Sequence, residues 1–160
     1  MYHISILAVG RLKEKYLASG AAEYFKRLTP YARIEVHEVS DESFSDKHGP
    51  AECVKVKDVE GKRLMKHLRR NTYLIALDRR GKTYSSKEMA GVLEKLALEG
   101  KGDITFVIGG SLGLSKEVLD RANILLSFSS FTFPHQLMRV VLLEQIFRWL
   151  KIARGEQYHR

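Results

Sequence analysis

The apolar positions of this chain switch repeatedly between an alternating and a helical period. Tyr2 to Val9 alternates, then runs apolar through β-branched residues and stops at Gly10, which predicts a buried strand. From Glu14 to Leu28, Leu17, Ala21, Tyr24, Phe25 and Leu28 recur at helical spacing, and Pro30 lies just beyond. Ile34, Val36 and Val39 predict a second strand over 33–39, and the Ser, Asp, Gly and Pro of 41–50 predict a mobile loop. A basic amphipathic helix is expected over 51–70, with Gly61 weakening its middle. Thr72 to Leu77 predicts a third strand, ended by the turn Asp78-Arg79-Arg80-Gly81. Ser85 and Glu88 make a capping-box pattern that opens a helix through Met89, Val92, Leu93, Leu96 and Ala97. Asp103 to Ile108 predicts a fourth strand, and Ser115 caps a helix carrying Val118, Leu119, Ala122 and Leu125. A short fifth strand is expected within 127–133, and Pro134 precedes a long helix over 135–153.

Strands that alternate with helices indicate an α/β domain with a mostly parallel sheet flanked by helices. No repeat, low-complexity tract or linker interrupts the pattern, so residues 1–160 are expected to form a single domain. The last helix carries a further expectation. Leu137, Met138, Val140, Val141, Leu142, Leu143, Ile146, Phe147, Trp149, Leu150 and Ile152 leave little of its circumference polar. A helix apolar nearly all round must be covered on both sides, one by the sheet and the other by a second copy of the chain. A central helix in a monomer is the alternative. On the dimer reading, a charge at an outward position such as Leu143 yields inactive monomers.

Hydrophobic residues make up 44% and charged residues 29% of the 160, enough for a core and too mixed for disorder. The single cysteine, Cys53, rules out an intramolecular disulfide. No export signal is visible in the first residues, and no apolar run approaches the ~20 residues that span a bilayer. A soluble cytoplasmic protein is therefore expected, with no membrane association. Lys and Arg number 27 against 19 acids, a net charge of +8. The excess clusters at Lys55, Lys57, Lys62, Arg63, Lys66, Arg69 and Arg70, then at Arg79, Arg80, Lys82 and Lys87. Such clustering favours a polyanionic partner, because phosphate contacts release condensed counterions. A merely soluble basic protein is the plainer alternative.

Ligands of open α/β sheets bind outside the carboxy ends of the strands. Three segments lie at such ends: Leu77-Asp78, the run from Ile108 through Gly109, Gly110, Ser111, Leu112 and Gly113 to Leu114, and the run Phe128, Ser129, Ser130, Phe131, Thr132, Phe133, Pro134 and His135. The glycines let backbone approach a ligand closely. They form neither a Walker A loop nor the dinucleotide fingerprint, and a tight strand-to-helix turn is the plain alternative. In the third segment, backbone amides and carbonyls could grip an adenine edge while aromatic side chains cover its faces; a core strand with a few hydroxyls is the other reading. His135 and Arg139 are four apart and share a helix face. The tail Arg154-Gly155-Glu156-Gln157-Tyr158-His159 has groups that contact phosphates and stack on unpaired bases. No metal site is expected, since no close Cys/His pair or carboxylate co-ligand is apparent.

These segments, in this order and spacing and with a terminal Tyr-His, closely resemble the RlmH type of SPOUT methyltransferase over the whole chain. The matching runs are Ile6 to Gly10, Phe106 to Gly110, Thr132 to Gln136 and Arg154 to His159. The resemblance implies a SPOUT-type α/β knot, in which the carboxy-terminal segment threads an earlier loop as a trefoil. It implies a homodimer with cofactor sites near its interface, S-adenosyl-L-methionine as cofactor, and methylation of N3 of a pseudouridine in large-subunit (23S) ribosomal RNA, within the assembled ribosome. Leu77, Gly109, Gly110 and Phe128 to Phe133 are then the expected cofactor residues. His135 and His159 become candidates for the base or orienting group, and Arg139, Arg154 and Tyr158 would position the nucleotide. Two rivals remain: a ribosome-binding factor without chemistry, and a SPOUT enzyme acting on transfer RNA. The first needs no cofactor cleft, and the second is disfavoured by the lack of an appended RNA-binding segment.

Overall fold

A computed structural model describes residues 1–158. Five strands, β1 (Tyr2–Val9), β2 (Ala32–Val39), β3 (Tyr73–Thr83), β4 (Asp103–Ile108) and β5 (Ile124–Ser127), pair in parallel in the order β2-β1-β4-β3-β5. The connecting helices are α1 (Lys15–Leu28), α2 (Pro50–Met65), α3 (Ser86–Leu98), α4 (Lys116–Arg121) and α5 (His135–Ala153). The α/β architecture expected from the sequence is present.

Both faces of the sheet are covered, which is why its central strands read as near-continuous apolar runs. Ile4, Ile6 and Ala8 of β1, with Ile104 and Phe106 of β4, pack against α1, α3 and α5. Leu7 and Val9, with Leu74, Ala76 and Val107, pack against α2 and α4 through Leu64 and Val118. The expected capping box is formed: Ser85 Oγ accepts from Glu88 N at 3.2 Å, and the Glu88 carboxylate accepts from Ser85 N at 2.6 Å. Ser85→Ala is expected to cost about 1 kcal/mol of stability, the usual value of a lost N-cap. Urea denaturation would measure it, and an unchanged midpoint would show that the cap contributes nothing.

Three boundaries differ from the sequence reading, each for a tertiary reason. Gly61 does not break α2; a Cβ there would lie 2.3 Å from Ser115 Oγ, so glycine lets α2 approach the start of α4. The fourth helix ends at Arg121 rather than continuing to Leu125, because Asn123 turns the chain into the sheet: its Oδ1 accepts from Leu74 N at 2.8 Å, and its own N–H donates to Leu74 O at 2.8 Å. The fifth strand accordingly occupies 124–127, and residues 128–134 leave the sheet.

The apolar circumference of α5 is covered more fully within the chain than its sequence suggests. The sheet lies beneath it, and α1 and α3 flank it. Leu143, taken as an outward position, is only 2% exposed and belongs to the core. The apolar positions of α5 left open are Leu137 and, in part, Met138, Val140, Val141, Ile152 and Ala153.

Candidate functional site

The carboxy ends of β3, β4 and β5 open into a cleft whose three walls are the three segments singled out in the sequence. The first wall is a bulge. Beyond Leu77, strand β3 leaves its register with β5 and regains it at Lys82, so Asp78 to Gly81 form a loop within the strand rather than the end of it. Asp78 Oδ1 holds this loop by accepting from Arg80 N at 2.9 Å, and its carboxylate also pairs with the Arg80 guanidinium at 3.1 Å. Burial would raise the Asp78 carboxyl, but the Arg80 side-chain and backbone hydrogen bonds outweigh it and hold the group below the ordinary carboxylate range. The loop thus keeps a fixed Asp78–Arg80 ion pair on the wall of the cleft.

The second wall is the glycine turn after β4. Gly113 N donates to Gly110 O at 3.0 Å, closing a small loop. A Cβ at Gly109 would stand 2.7 Å from the carbonyl carbon and oxygen of Gly113, so only glycine allows the two strands of the turn to meet.

The third wall is the irregular segment between β5 and α5. Ser127 Oγ donates to Arg79 O at 2.9 Å, Phe131 N donates to Ser129 Oγ at 3.0 Å, and the Arg79 guanidinium donates to Thr132 Oγ1 at 3.1 Å. Hydroxyls that looked like exposed strand positions therefore fasten this segment to the bulge of β3.

Between the walls lies an inner cavity of about 160 Å³, opening into an outer cleft of about 780 Å³. Leu77, Ile108, Leu126, Phe128, Phe133 and Met138 give the inner cavity its apolar surface. Arg79, Arg80 and Lys57 place cations along the outer cleft. A flat aromatic group suits the inner surface.

Of the residues expected to bind a cofactor, Leu77, Gly109, Gly110, Phe128, Ser129, Phe131, Thr132 and Phe133 all line the inner cavity. Ser130 lies in the same turn but is not among the lining residues. His135 opens α5 and lines both cavity and cleft. Arg139, one turn further along, does not join it. Its guanidinium is buried, donates to Gly10 O at 2.9 Å and pairs with Glu38 at 2.5 Å.

The tail also stands apart from the cleft of its own chain. Arg154 donates to Pro30 O at 2.9 Å and stacks over Tyr31, while Tyr158 OH donates to Glu144 at 3.2 Å and its ring packs on Phe147. Tyr31 immediately precedes β2, so these residues sit at the amino ends of the strands, opposite the cleft. His159 lies outside the described residues. Asp78 belongs to the first segment expected to meet a ligand, whereas Lys57 and Arg79 enter the sequence analysis only as members of the basic clusters. Met138 has no sequence signal as a site residue, since nothing distinguishes it from a core position. Among the described residues, no group of three His, Cys, Asp or Glu is placed to hold a metal ion, and no helix is long and apolar enough to cross a membrane.

Comparison with known proteins adds four findings. The family model described as "Predicted SPOUT methyltransferase" matches residues 2–159. A protein of Pelotomaculum thermopropionicum named "Ribosomal RNA large subunit methyltransferase H" is 62% identical over 159 residues, covering 99% of each chain. A Desulforamulus reducens protein of the same name is 52% identical over 160 residues, covering 100% of each. Among solved structures, a probable methylase family protein from Haemophilus influenzae aligns over 98% of this chain and 70% of its own, with a TM-score of 0.54 at 15% identity, a likeness of fold alone.

Proposed function

Because this chain belongs to the SPOUT methyltransferase family, we propose that its cleft binds S-adenosyl-L-methionine and directs the methyl group to large-subunit ribosomal RNA, at N3 of a pseudouridine. The observation that carries this reading is the convergence of Leu77, Gly109 and residues of the 128–133 segment on one cavity, with apolar walls for an adenine. When bound, S-adenosylmethionine supplies a methyl group already activated on a sulfonium, so no metal is called for.

The chain must then supply placement, which contributes on the order of 7 kcal/mol or more when alignment is good, and a route for the proton of the ring nitrogen. Lys57, Arg79 and Arg80 along the outer cleft give phosphates a cationic track. His135, at the mouth, orients the target nucleotide. The proposed setting is the cytoplasm, with the ribosome as substrate particle, whose RNA phosphates suit the net charge of +8. The knot of the family is part of the same proposal: the segment from β5 into α5 would thread past the glycine turn.

The proposal includes a homodimer. Tyr16 is 71% exposed, Phe131 77%, and Phe133 and Leu137 38% each. A Cβ at Gly20, four residues after Tyr16, would lie 3.4 Å from Val140 Cγ1, three residues after Leu137, so α1 and α5 bring Tyr16 and Leu137 toward one side. A second copy there would cover them and would give Arg154 and Tyr158 a cleft to reach that their own chain does not offer. Leu137→Glu is expected to convert dimers to monomers and to lower transfer at least tenfold, since truncated interface anchors cost over 1 kcal/mol. Light scattering with a turnover assay checks it, and fully active monomers would remove the dimer from the mechanism.

The decisive test is transfer of labelled methyl from S-adenosylmethionine to ribosomes lacking the modification, followed by nucleoside mass analysis. Label in 3-methylpseudouridine of the large-subunit RNA is expected. Cofactor binding without transfer would retain the methyltransferase and discard this substrate.

A further inference from the structure

A second pocket, of about 380 Å³, adjoins the cleft on the far side of the glycine turn. Gly110, Ser111, Leu112 and His135 are shared by the two. Its other walls are the loop after β2, with Asp41, Glu42, Ser43 and Phe44, and the inner face of α2, with Val56 and Glu60. Apart from the shared Gly110 and His135, none of its residues lines the inner cavity assigned to the cofactor.

Glu60 is the anomaly in it. The residue is 4% exposed, and its Oε2 accepts from Glu42 N at 3.0 Å, but Oε1 is buried without a hydrogen-bond partner. Buried polar atoms left unpaired are uncommon and cost roughly 1–3 kcal/mol. No helix cap or ion pair of Glu60 accounts for the position; the guanidinium that could have served, Arg63, is engaged by Glu42 at 2.6 Å and by Ser40 O. Oε1 lies beside Gly110, where a Cβ would come within 3.2 Å of it, so the acceptor borders the turn that separates pocket from cleft. At the rim, Phe44 is 40% exposed, an aromatic face that a base can stack upon.

We propose that this pocket seats the RNA base to be methylated, and that Glu60 Oε1 accepts the hydrogen bond and then the proton of the ring N–H that receives the methyl group. The inference rests on the methyl-transfer reading above. An imide nitrogen is a poor nucleophile until its proton leaves, and a carboxylate at its edge provides the acceptor. In the step, the ring nitrogen forms its bond to the methyl carbon with the electron pair of the departing N–H bond, and the proton goes to Oε1. The sulfur–carbon bond breaks with its pair returning to sulfur, leaving a neutral thioether. Glu60 then loses the proton to water as the product departs.

The environment suits a proton acceptor. Burial first, then Asp41 and Glu42 nearby, push the Glu60 carboxyl above its ordinary value, against the Glu42 backbone hydrogen bond and Arg63, which favour the anion. The folded chain therefore binds this proton more tightly than the unfolded chain, and ionising Glu60 costs stability as pH rises past the carboxylate range. A residue kept only for structure would not be expected to carry that cost at neutral pH.

Glu60→Gln separates the two roles, because its amide oxygen can still accept from Glu42 N but its NH₂ cannot take a proton. Expected for this variant are a higher melting temperature at neutral pH, an S-adenosylmethionine Kd within twofold of wild type by calorimetry, and kcat on unmodified ribosomes lowered about 100-fold. Phe44→Ala, at an exposed site, is expected to raise KM for ribosomes about tenfold with cofactor binding unchanged. Glu60→Gln turnover within threefold of wild type would overturn the proposal, as would a lowered melting temperature or lost cofactor binding, which would make Glu60 a structural or cofactor group. An unaltered KM in Phe44→Ala would remove the base from this pocket. Wild-type protein that binds cofactor but methylates no ribosome would defeat the functional reading and this proposal together, whereas active wild type with active Glu60→Gln defeats this proposal alone.

Discussion

Gly109→Ala is expected to lower methyl transfer by at least 100-fold and to weaken S-adenosylmethionine binding comparably, while the protein stays folded. The added Cβ would meet the carbonyl carbon and oxygen of Gly113 at 2.7 Å and its Cα at 3.1 Å. These are backbone atoms, so no side chain can swing aside. Relief requires the turn to open, breaking the Gly113 N–H bond to Gly110 O and displacing the wall shared by the inner cavity and the outer cleft. A displacement of about 1 Å at a reacting centre costs roughly 100-fold. The core beneath is untouched, since Ile108 and Val107 point into the two packed layers. Calorimetric titration with the cofactor and steady-state turnover would check the expectation. Wild-type affinity in Gly109→Ala would show that the turn does not shape the site.

Arg139→Ala is expected to destabilise the fold by about 3 kcal/mol, the lower end for breaking a buried ion pair. The side chain is 6% exposed while Glu38 is 38% exposed, so the carboxylate left behind recovers part of its hydration. The Gly10 carbonyl also loses its donor, and the cavity left among Ile6, Leu12, Phe25 and Leu143 adds to the cost. Gly10 directly follows β1, and a Cβ there would lie 3.7 Å from His135 Nε2, so the Arg139 bond to Gly10 O ties the start of α5 to the end of this strand. Urea denaturation would measure the loss. A change below 1 kcal/mol would return Arg139 to the role its sequence position suggested, a group held ready for RNA.

The capping box, the bounds of α5 at 135–153 and the alternation of β1 were legible because each depends on neighbours in sequence: a side chain three residues away, a preceding proline, a period of two. The three walls of the cleft were legible for a related reason. In parallel sheets ligands gather at the carboxy ends of strands, and the sequence marks those ends with Gly109-Gly110 and with the aromatic and hydroxyl run from Phe128. Arg139 was misplaced because helical spacing puts it on the face of His135 but cannot say that Glu38, far away in sequence, waits beneath it. Leu143 was misplaced likewise, since an apolar circumference does not reveal which neighbour covers it.

The sequence by itself therefore determined the alternation of strands and helices, the parallel sheet, and the segments from which a methyl-transfer site could be built. Tertiary structure alone decided that β3 bulges at Asp78 to hold a carboxylate in the cleft, that Gly61 and Gly109 are close approaches of backbone rather than weak points, and that Glu60 keeps an unpaired oxygen beside the glycine turn. The division has a physical cause. Propensity, capping and periodicity act over a few residues, whereas burial, desolvation and steric contact depend on atoms that only the fold brings together.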